Sequence, residues 1–354
     1  MRTARRSRFA RLSASGLMAE RSLAAFAGKT VLVTGGLGFM GFNLVQRLLH
    51  ADVTLRVLGR SWPPILGNLE SVLDGATFFH GDIRDEALVD DAVAGCDLIY
   101  HLAGKSGPAA SNSSPLEDLD VNARGILTLL DACRRLSPKV KVVFPSSRLV
   151  YGANASQPTP ETAPTAPLSI YGVHKWASEQ YLLLYERLYG IRTTILRITN
   201  PYGPFQRPEQ KSYGVVNWFI HQAMHNRALT VYGQGTQLRD YIHVDDVVDA
   251  LLIAGAAKEA DAGIFNVGSG RGVSFVQMAE VIVRAAGRGT IKHIPWPAEQ
   301  AVVETGDFFA DTSRIEKTLG WKAGVPFELG IQDVVAKYRR MESSGALGGA
   351  EMRL

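Results

Sequence analysis

Three side chains in this sequence are of the types that together manage the proton and the oxygen of an alcohol. Tyr171 and Lys175 stand four residues apart in a stretch whose pattern predicts a helix over 171–189, so they share one face a turn apart. Ser147 follows an apolar run predicted as a strand over 140–145. A free phenol has a pKa near ~10, too high for a useful base at neutral pH. An ammonium about 4–5 Å away, at an effective dielectric near 20, favours the phenolate by roughly 3–4 kcal/mol, or ~2–3 pK units. A serine hydroxyl both donates and accepts toward a substrate oxygen. Tyr171 as base, Lys175 as its tuner and a ribose clamp, and Ser147 as oxygen positioner describe an alcohol/ketone redox site.

Such a site needs a hydride carrier, and a phosphate cradle is present. The predicted strand Thr30–Thr34 runs into Gly35-Gly36-Leu37-Gly38-Phe39-Met40-Gly41 and then directly into a helix over about 42–50. Gly35 permits the tight turn, Gly38 lets backbone N–H groups approach a pyrophosphate, and Gly41 allows close packing of helix on strand. The helix start at Phe39, Met40 and Gly41 supplies oriented N–H groups and positive potential. An acid at the end of the second strand would hold an adenosine ribose diol, but that strand ends Leu58-Gly59-Arg60. Arg60 either meets a 2′-phosphate, which would admit NADP, or is simply solvated. Asp82, after the third strand, is placed to accept from an adenine amino group.

The elements that must position these groups alternate. Strands are predicted at 30–34, 53–58, 76–80, 97–102, 140–145 and 192–197, and helices at 42–50, 86–94, 116–135 and 171–189. That alternation calls for an α/β fold built on a doubly wound parallel sheet of the Rossmann type, with the active site at the carboxyl ends of the strands. After Thr199 the pattern changes to short strands and helices, read as a smaller C-terminal α/β domain for substrate. The expected division is a disordered basic extension over 1–27, a dinucleotide domain from 28–198 and 240–267, a substrate domain from 199–239 and 268–340, and a frayed tail over 341–354.

Composition excludes several classes. The chain has 354 residues, 46% hydrophobic and 20% charged, so wholesale disorder is excluded. No apolar run approaches the ~18 residues of a membrane span. The net charge of +4 arises from Arg2, Arg5, Arg6, Arg8 and Arg11, which leaves the rest near neutral and gives no case for nucleic-acid binding. The opening arm also permits a targeting reading. Cys96 and Cys133 lie in apolar surroundings without a pairing pattern, which fits two buried thiols and a cytoplasmic setting. His221 and His225 are spaced i, i+4 but lack a third ligand, so no metal is expected.

In order along the chain, the motifs TGGLGFMG (34–41), GDIRD (81–85), HLAG (101–104), Val121-Asn122, SSRLVYG (146–152), YGVHK (171–175), LRITNPYGP (196–204), RDYIHVDD (239–246), FNVGSG (265–270) and LGW (319–321) are similar to those of extended short-chain dehydrogenase/reductases, specifically the NAD-dependent nucleotide-sugar epimerase/dehydratase family. The resemblance runs from about residue 29 to 339 and is closest to UDP-glucose 4-epimerase-like members. It implies that Ile83, Leu102, Ala103, Gly104 and Lys105 line the cofactor, that Asn122 supports the network on the lysine side, and that Asn200, Arg207 and Arg239 hold the diphosphate of a nucleotide sugar. Arg239 suits phosphate because its planar fork matches the oxygens; pairing with Asp240 is the alternative.

Within the family, 4,6-dehydratases carry an Asp-Glu pair directly after the catalytic hydroxyl residue, where this chain has Arg148 and Leu149. The resemblance therefore implies a 4-epimerase that oxidises and re-reduces C4 with bound NAD. An NADPH-dependent 4-ketoreductase stands as the alternative, with dehydratase and dinucleotide-sensing regulator ranked lower. It also implies a homodimer through the helices over 116–135 and 171–189.

Overall fold

The computed structural model describes residues 13–60, 74–153, 156–206 and 214–344. Seven strands form one sheet: β1 (Lys29–Thr34), β2 (Val53–Gly59), β3 (Thr77–His80), β4 (Leu98–His101), β5 (Lys141–Ser147), β6 (Arg192–Ile198) and, after the later strands introduced below, β11 (Gly263–Val267). Their order across the sheet is β11-β6-β5-β4-β1-β2-β3, every pairing parallel. The chain winds outward from β1 in one direction, then returns to place β4 on its other side. This reversal opens a crevice between β1 and β4 at their carboxyl ends, where a doubly wound sheet binds ligand.

Both faces are covered, which is why β5 is buried along its whole length. Helices Phe39–Leu48 and Val244–Ala256 pack on one face, with Leu44, Val45, Val247 and Leu251 in its core. Helices Glu86–Val93, Gly125–Leu136 and Ile170–Tyr189 cover the other, with Val89, Ile126, Leu129 and Leu182 inside. A smaller lobe uses short pairs: β7 (Asn200–Tyr202) with β10 (Tyr241–His243), β8 (Ala228–Tyr232) with β13 (Thr290–Ile294), and β9 (Leu238–Arg239) with β12 (Val273–Ser274). Its core lies among helices Val215–Met224, Phe275–Ala286 and Phe327–Ser343. No helix among the described residues is long and apolar enough to cross a membrane.

Two expectations need correction. The segment read as a disordered extension over 1–27 is folded from Ser13 onward, with helix Ala14–Ala24 packed on helix Val244–Ala256. Ser13 caps it by accepting from Gly16 N at 3.0 Å, and Ala19, Leu23 and Phe26 are buried at i, i+4, i+7 spacing. Arg47 ties the two together, reaching Glu20 at 3.0 Å and Asp249 at 3.1 Å. The arginine-rich start conceals that short apolar stripe. The single helix expected over 116–135 is instead a short helix Pro115–Asp118, a π-helical turn Leu119–Arg124, and helix Gly125–Leu136. The widened turn is of the kind that recurs at functional sites, and it carries Asn122. At the other end, helix Phe327–Ser343 continues into the stretch expected to fray, while residues 345–354, like 1–12, lie outside the described residues.

Candidate active site

The cradle forms where β1 meets its helix. Gly35 takes φ +66°, and its N–H donates to Leu58 O at 2.7 Å. A Cβ on Gly35 would stand 2.6 Å from Ala103 N, and one on Gly41 would stand 2.2 Å from Gly35 O. Gly38 has no side chain to cap the helix, whose ladder begins with Phe42 N donating to Gly38 O at 2.8 Å. The N–H groups of Phe39, Met40 and Gly41 therefore precede the ladder and face the crevice end, as a pyrophosphate requires. A dinucleotide fits this cradle: the backbone approach that side chains would block is open, and donors are aimed at it.

The far wall comes from β4. Leu102 N donates to Thr34 O at 3.0 Å and Ala103 N to Thr34 Oγ1 at 3.1 Å, which carries the 102–104 segment past the glycines. Buried His101 joins Thr34 Oγ1 through Nδ1 at 2.9 Å, and burial, aided by the nearby Lys175 charge, pushes its pKa down to about 3. Asn122 clamps the next residue from both sides. Its Oδ1 accepts from Lys105 N at 3.0 Å and its Nδ2 donates to Lys105 O at 2.9 Å. Its link to the lysine helix is its main-chain oxygen, which accepts from Ser178 Oγ at 3.1 Å. The Lys105 ammonium pairs with Glu117.

At the adenosine end, Asp82 is engaged by Arg84 through Nε at 2.8 Å and by Arg60 at 3.2 Å. The Arg84 hydrogen bond holds the Asp82 carboxyl down to about 2. Arg60 pairs with Asp82 while its side chain stays 54% exposed to solvent, and Ile83 is buried beside them.

The catalytic helix is placed by its first turn. Ser169 Oγ accepts from Gly172 N at 3.2 Å, while Ile170 N and Tyr171 N donate to Asn112 Oδ1 and Ser111 Oγ, both at 3.0 Å. Three of the orphan N–H groups of a helix start are satisfied in this way, which holds Tyr171 at the end of β5. Ser147 stands beside the Tyr171 phenol at the end of β5. Burial drives the phenol pKa up, neighbouring Ser147 pulls it down, and the Asp118 charge adds to the rise. Lys175 Nζ donates to Pro145 O at 2.9 Å and lies 4.2 Å from the centre of the Phe144 ring. In this rotamer the ammonium is turned to the strand. Burial pushes Lys175 down to about 8, against the pull of Glu179 and Asp118.

Two supports escaped the sequence reading. Glu179, one turn beyond Lys175, accepts from Arg197 Nη2 at 2.7 Å and from Ser146 Oγ at 2.5 Å, which binds the helix to β6 and β5. Asp118 accepts from His174 Nδ1 at 2.7 Å beneath the tyrosine. The i+4 spacing from Lys175 was the available signal for Glu179; for Asp118 there was none, since the contact is made across helices.

The substrate side brings Arg148, Asn200 and Arg239 to one wall. Asn200 Nδ2 donates to Asp240 O at 2.8 Å and its Oδ1 accepts from Arg148 Nε at 3.4 Å. Arg239 does not pair with Asp240. Its partners are Glu304 and the carbonyl oxygens of Leu238 at 2.8 Å and Gly306 at 2.7 Å. Asp240 is taken instead by N–H groups of Ser269, Gly270 and Ala310. Arg207 lies outside the described residues. The rings of His221 and His225 lie against each other at a tilt of 49°, with centres 4.4 Å apart.

The chain is similar to known proteins. The sequence profile of the NAD dependent epimerase/dehydratase family matches residues 31–268. The chain is 34% identical over 315 residues to a UDP-glucose 4-epimerase of Mycolicibacterium smegmatis, covering 87% of this chain and 98% of that one. It is 30% identical over 323 residues to a dTDP-glucose 4,6-dehydratase of Streptomyces niveus, covering 87% and 92%. It superposes on the crystal structure of UDP-glucose 4-epimerase from Thermotoga maritima with UDP-glucose at a TM-score of 0.79 and 30% identity, covering 88% and 99%. The chain belongs to the NAD dependent epimerase/dehydratase family.

Proposed function

We propose that this protein is a nucleotide-sugar 4-epimerase acting on a UDP- or dTDP-hexose. The observation that carries the reading is Tyr171 standing beside Ser147 at the end of β5, with Arg148 and Leu149 following Ser147 in place of a carboxylate pair. Tyr171 and Ser147 can hold a sugar hydroxyl and move its proton; without acids beside them, elimination of a neighbouring hydroxyl has no catalyst.

NAD, when bound, supplies a hydride acceptor and donor, and the rest is the work of the chain. The glycine turn and the start of helix Phe39–Leu48 hold the phosphates. Ser147 fixes the C4 oxygen by hydrogen bonding, and Tyr171 Oη takes its proton and later returns it. Lys175 reaches a ribose hydroxyl and the phenol by leaving Pro145 O, a rotamer change within one side chain. Asn200 and Arg239 hold the diphosphate, for which Arg239 must loosen its bond to Glu304. Arg207 is assigned the same task from sequence alone. The second reading, a 4-ketoreductase using NADPH, draws on Gly59 and exposed Arg60, since β2 itself ends without an acid and Arg60 would exchange Asp82 for a 2′-phosphate.

We also infer a homodimer. Leu116, Leu119, Trp176, Leu184 and Leu188 are exposed on the two helical segments expected to meet a second copy.

The test is incubation of the protein with UDP- and dTDP-hexoses, with product configuration read by NMR and nicotinamide absorbance followed alongside. Interconversion at C4 without net NADH supports the reading; stoichiometric NADPH consumption or loss of the C6 hydroxyl refutes it.

A further inference from the structure

Arg148 is 8% exposed and stands next to Ser147, yet among the described residues no carboxylate is hydrogen-bonded to it. Its Nη1 donates to Thr305 Oγ1 at 3.0 Å, its Nε makes the long bond to Asn200, and its guanidinium lies 5.2 Å from the centre of the Phe308 ring. All of these are neutral. The charges that act on it are Arg239, which repels it, Glu304, which is already bonded to Arg239, and Asp240, whose oxygens are taken by the N–H groups of Ser269, Gly270 and Ala310. A buried guanidinium held by neutral groups beside a second cation is costly unless an anion completes it.

A second observation marks the same place. The Tyr241 hydroxyl is buried without a hydrogen-bond partner, and it lies within electrostatic reach of Arg148, Arg239 and Glu304. Two cations, two carboxylates that are already bonded elsewhere, and an orphaned donor therefore gather at the wall where the sugar must lie. Arg148 leaves β5 with Ser147, on the same lip as the hydroxyl that would touch C4. Arg239 arrives from β9 in the smaller lobe, and so stands for the diphosphate.

We propose that Arg148 reads a carboxylate on the sugar ring, making a nucleotide-linked uronic acid the preferred substrate class. The inference rests on the nucleotide-sugar reading above. The planar fork of arginine suits a carboxylate bidentately, and the Tyr241 hydroxyl supplies a further donor. A neutral hydroxymethyl group at that carbon would leave the cation unpaired, and sites of this kind discriminate strongly against the analogue that lacks the partner.

The experiment uses the NAD-loaded full chain with UDP-glucuronic acid, UDP-glucose and UDP. Binding is read by calorimetry, and C4 epimerisation by NMR. UDP-glucuronic acid is expected to bind at least about tenfold more tightly than UDP-glucose. Arg148→Gln is expected to erase that preference while leaving UDP and UDP-glucose affinities within a few fold, and Arg148→Lys to restore part of it. Equal binding of the two sugars by the unsubstituted protein overturns the inference, with no variant needed. A loss in Arg148→Gln that is uniform across all three ligands also overturns it, since that marks a phosphate or folding role. Selective uronate binding without epimerisation refutes the 4-epimerase reading alone.

Discussion

Lys175 Nζ donates to Pro145 O at 2.9 Å, so the cation proposed to serve Tyr171 is held by the strand that ends in Ser147. Burial holds this lysine at about 8, below its ordinary 10.5. The folded protein therefore binds fewer protons than the unfolded chain between those values. The penalty is full below pH 8 and is relieved as pH rises from about 8 toward 10.5, so this residue makes stability climb with alkalinity. Urea midpoints measured from pH 7.5 to 9.5 are expected to rise for the natural chain relative to Lys175→Met, whose trend lacks that component.

Tyr171→Phe removes the hydroxyl proposed to exchange a proton with the sugar while preserving the ring in its pocket. Turnover is expected to fall by about 10²–10⁴-fold with NAD affinity unchanged. Ser147→Ala is expected to cost about 10²-fold through the lost oxygen contact. NMR rate measurements beside a cofactor titration check both.

Glu179 and Arg197 form an ion pair whose side chains are 0% and 4% exposed. Glu179→Gln leaves the guanidinium buried without its counter-charge, and about 3–5 kcal/mol of stability should be lost. The double variant Glu179→Gln/Arg197→Met should recover much of that loss. Chemical denaturation of the two variants beside the natural chain measures it.

Gly41→Ala puts a methyl 2.2 Å from Gly35 O. The backbone of the cradle must shift, and overpacking of about 1–3 kcal/mol should weaken NAD by about ten- to a hundredfold. Calorimetric titration with NAD reads this directly.

Phe26 is fully buried just past helix Ala14–Ala24, so Phe26→Ala should cost about 3–5 kcal/mol. A change below 1 kcal/mol in the denaturation midpoint would show the helix to be dispensable for the fold.

Local pattern determined a good deal. The alternation of β-rich and amphipathic segments dictated a parallel sheet covered on both faces, because such strands cannot leave a face in water. The glycine spacing after Thr34 dictated a phosphate turn, since Gly35 and Gly41 stand where any Cβ would strike backbone. The i, i+4 placement of Tyr171 and Lys175 dictated a shared helical face. The tertiary structure alone decided where each charge is spent. Arg239 pairs with Glu304 rather than its neighbour Asp240, Lys175 turns to Pro145, Asp118 supports His174, and residues 14–24 find the helix 244–256 to pack on. Those outcomes depend on groups brought together from distant parts of the chain. Periodicity reports only which face a side chain is on, whereas electrostatics and burial depend on what stands opposite.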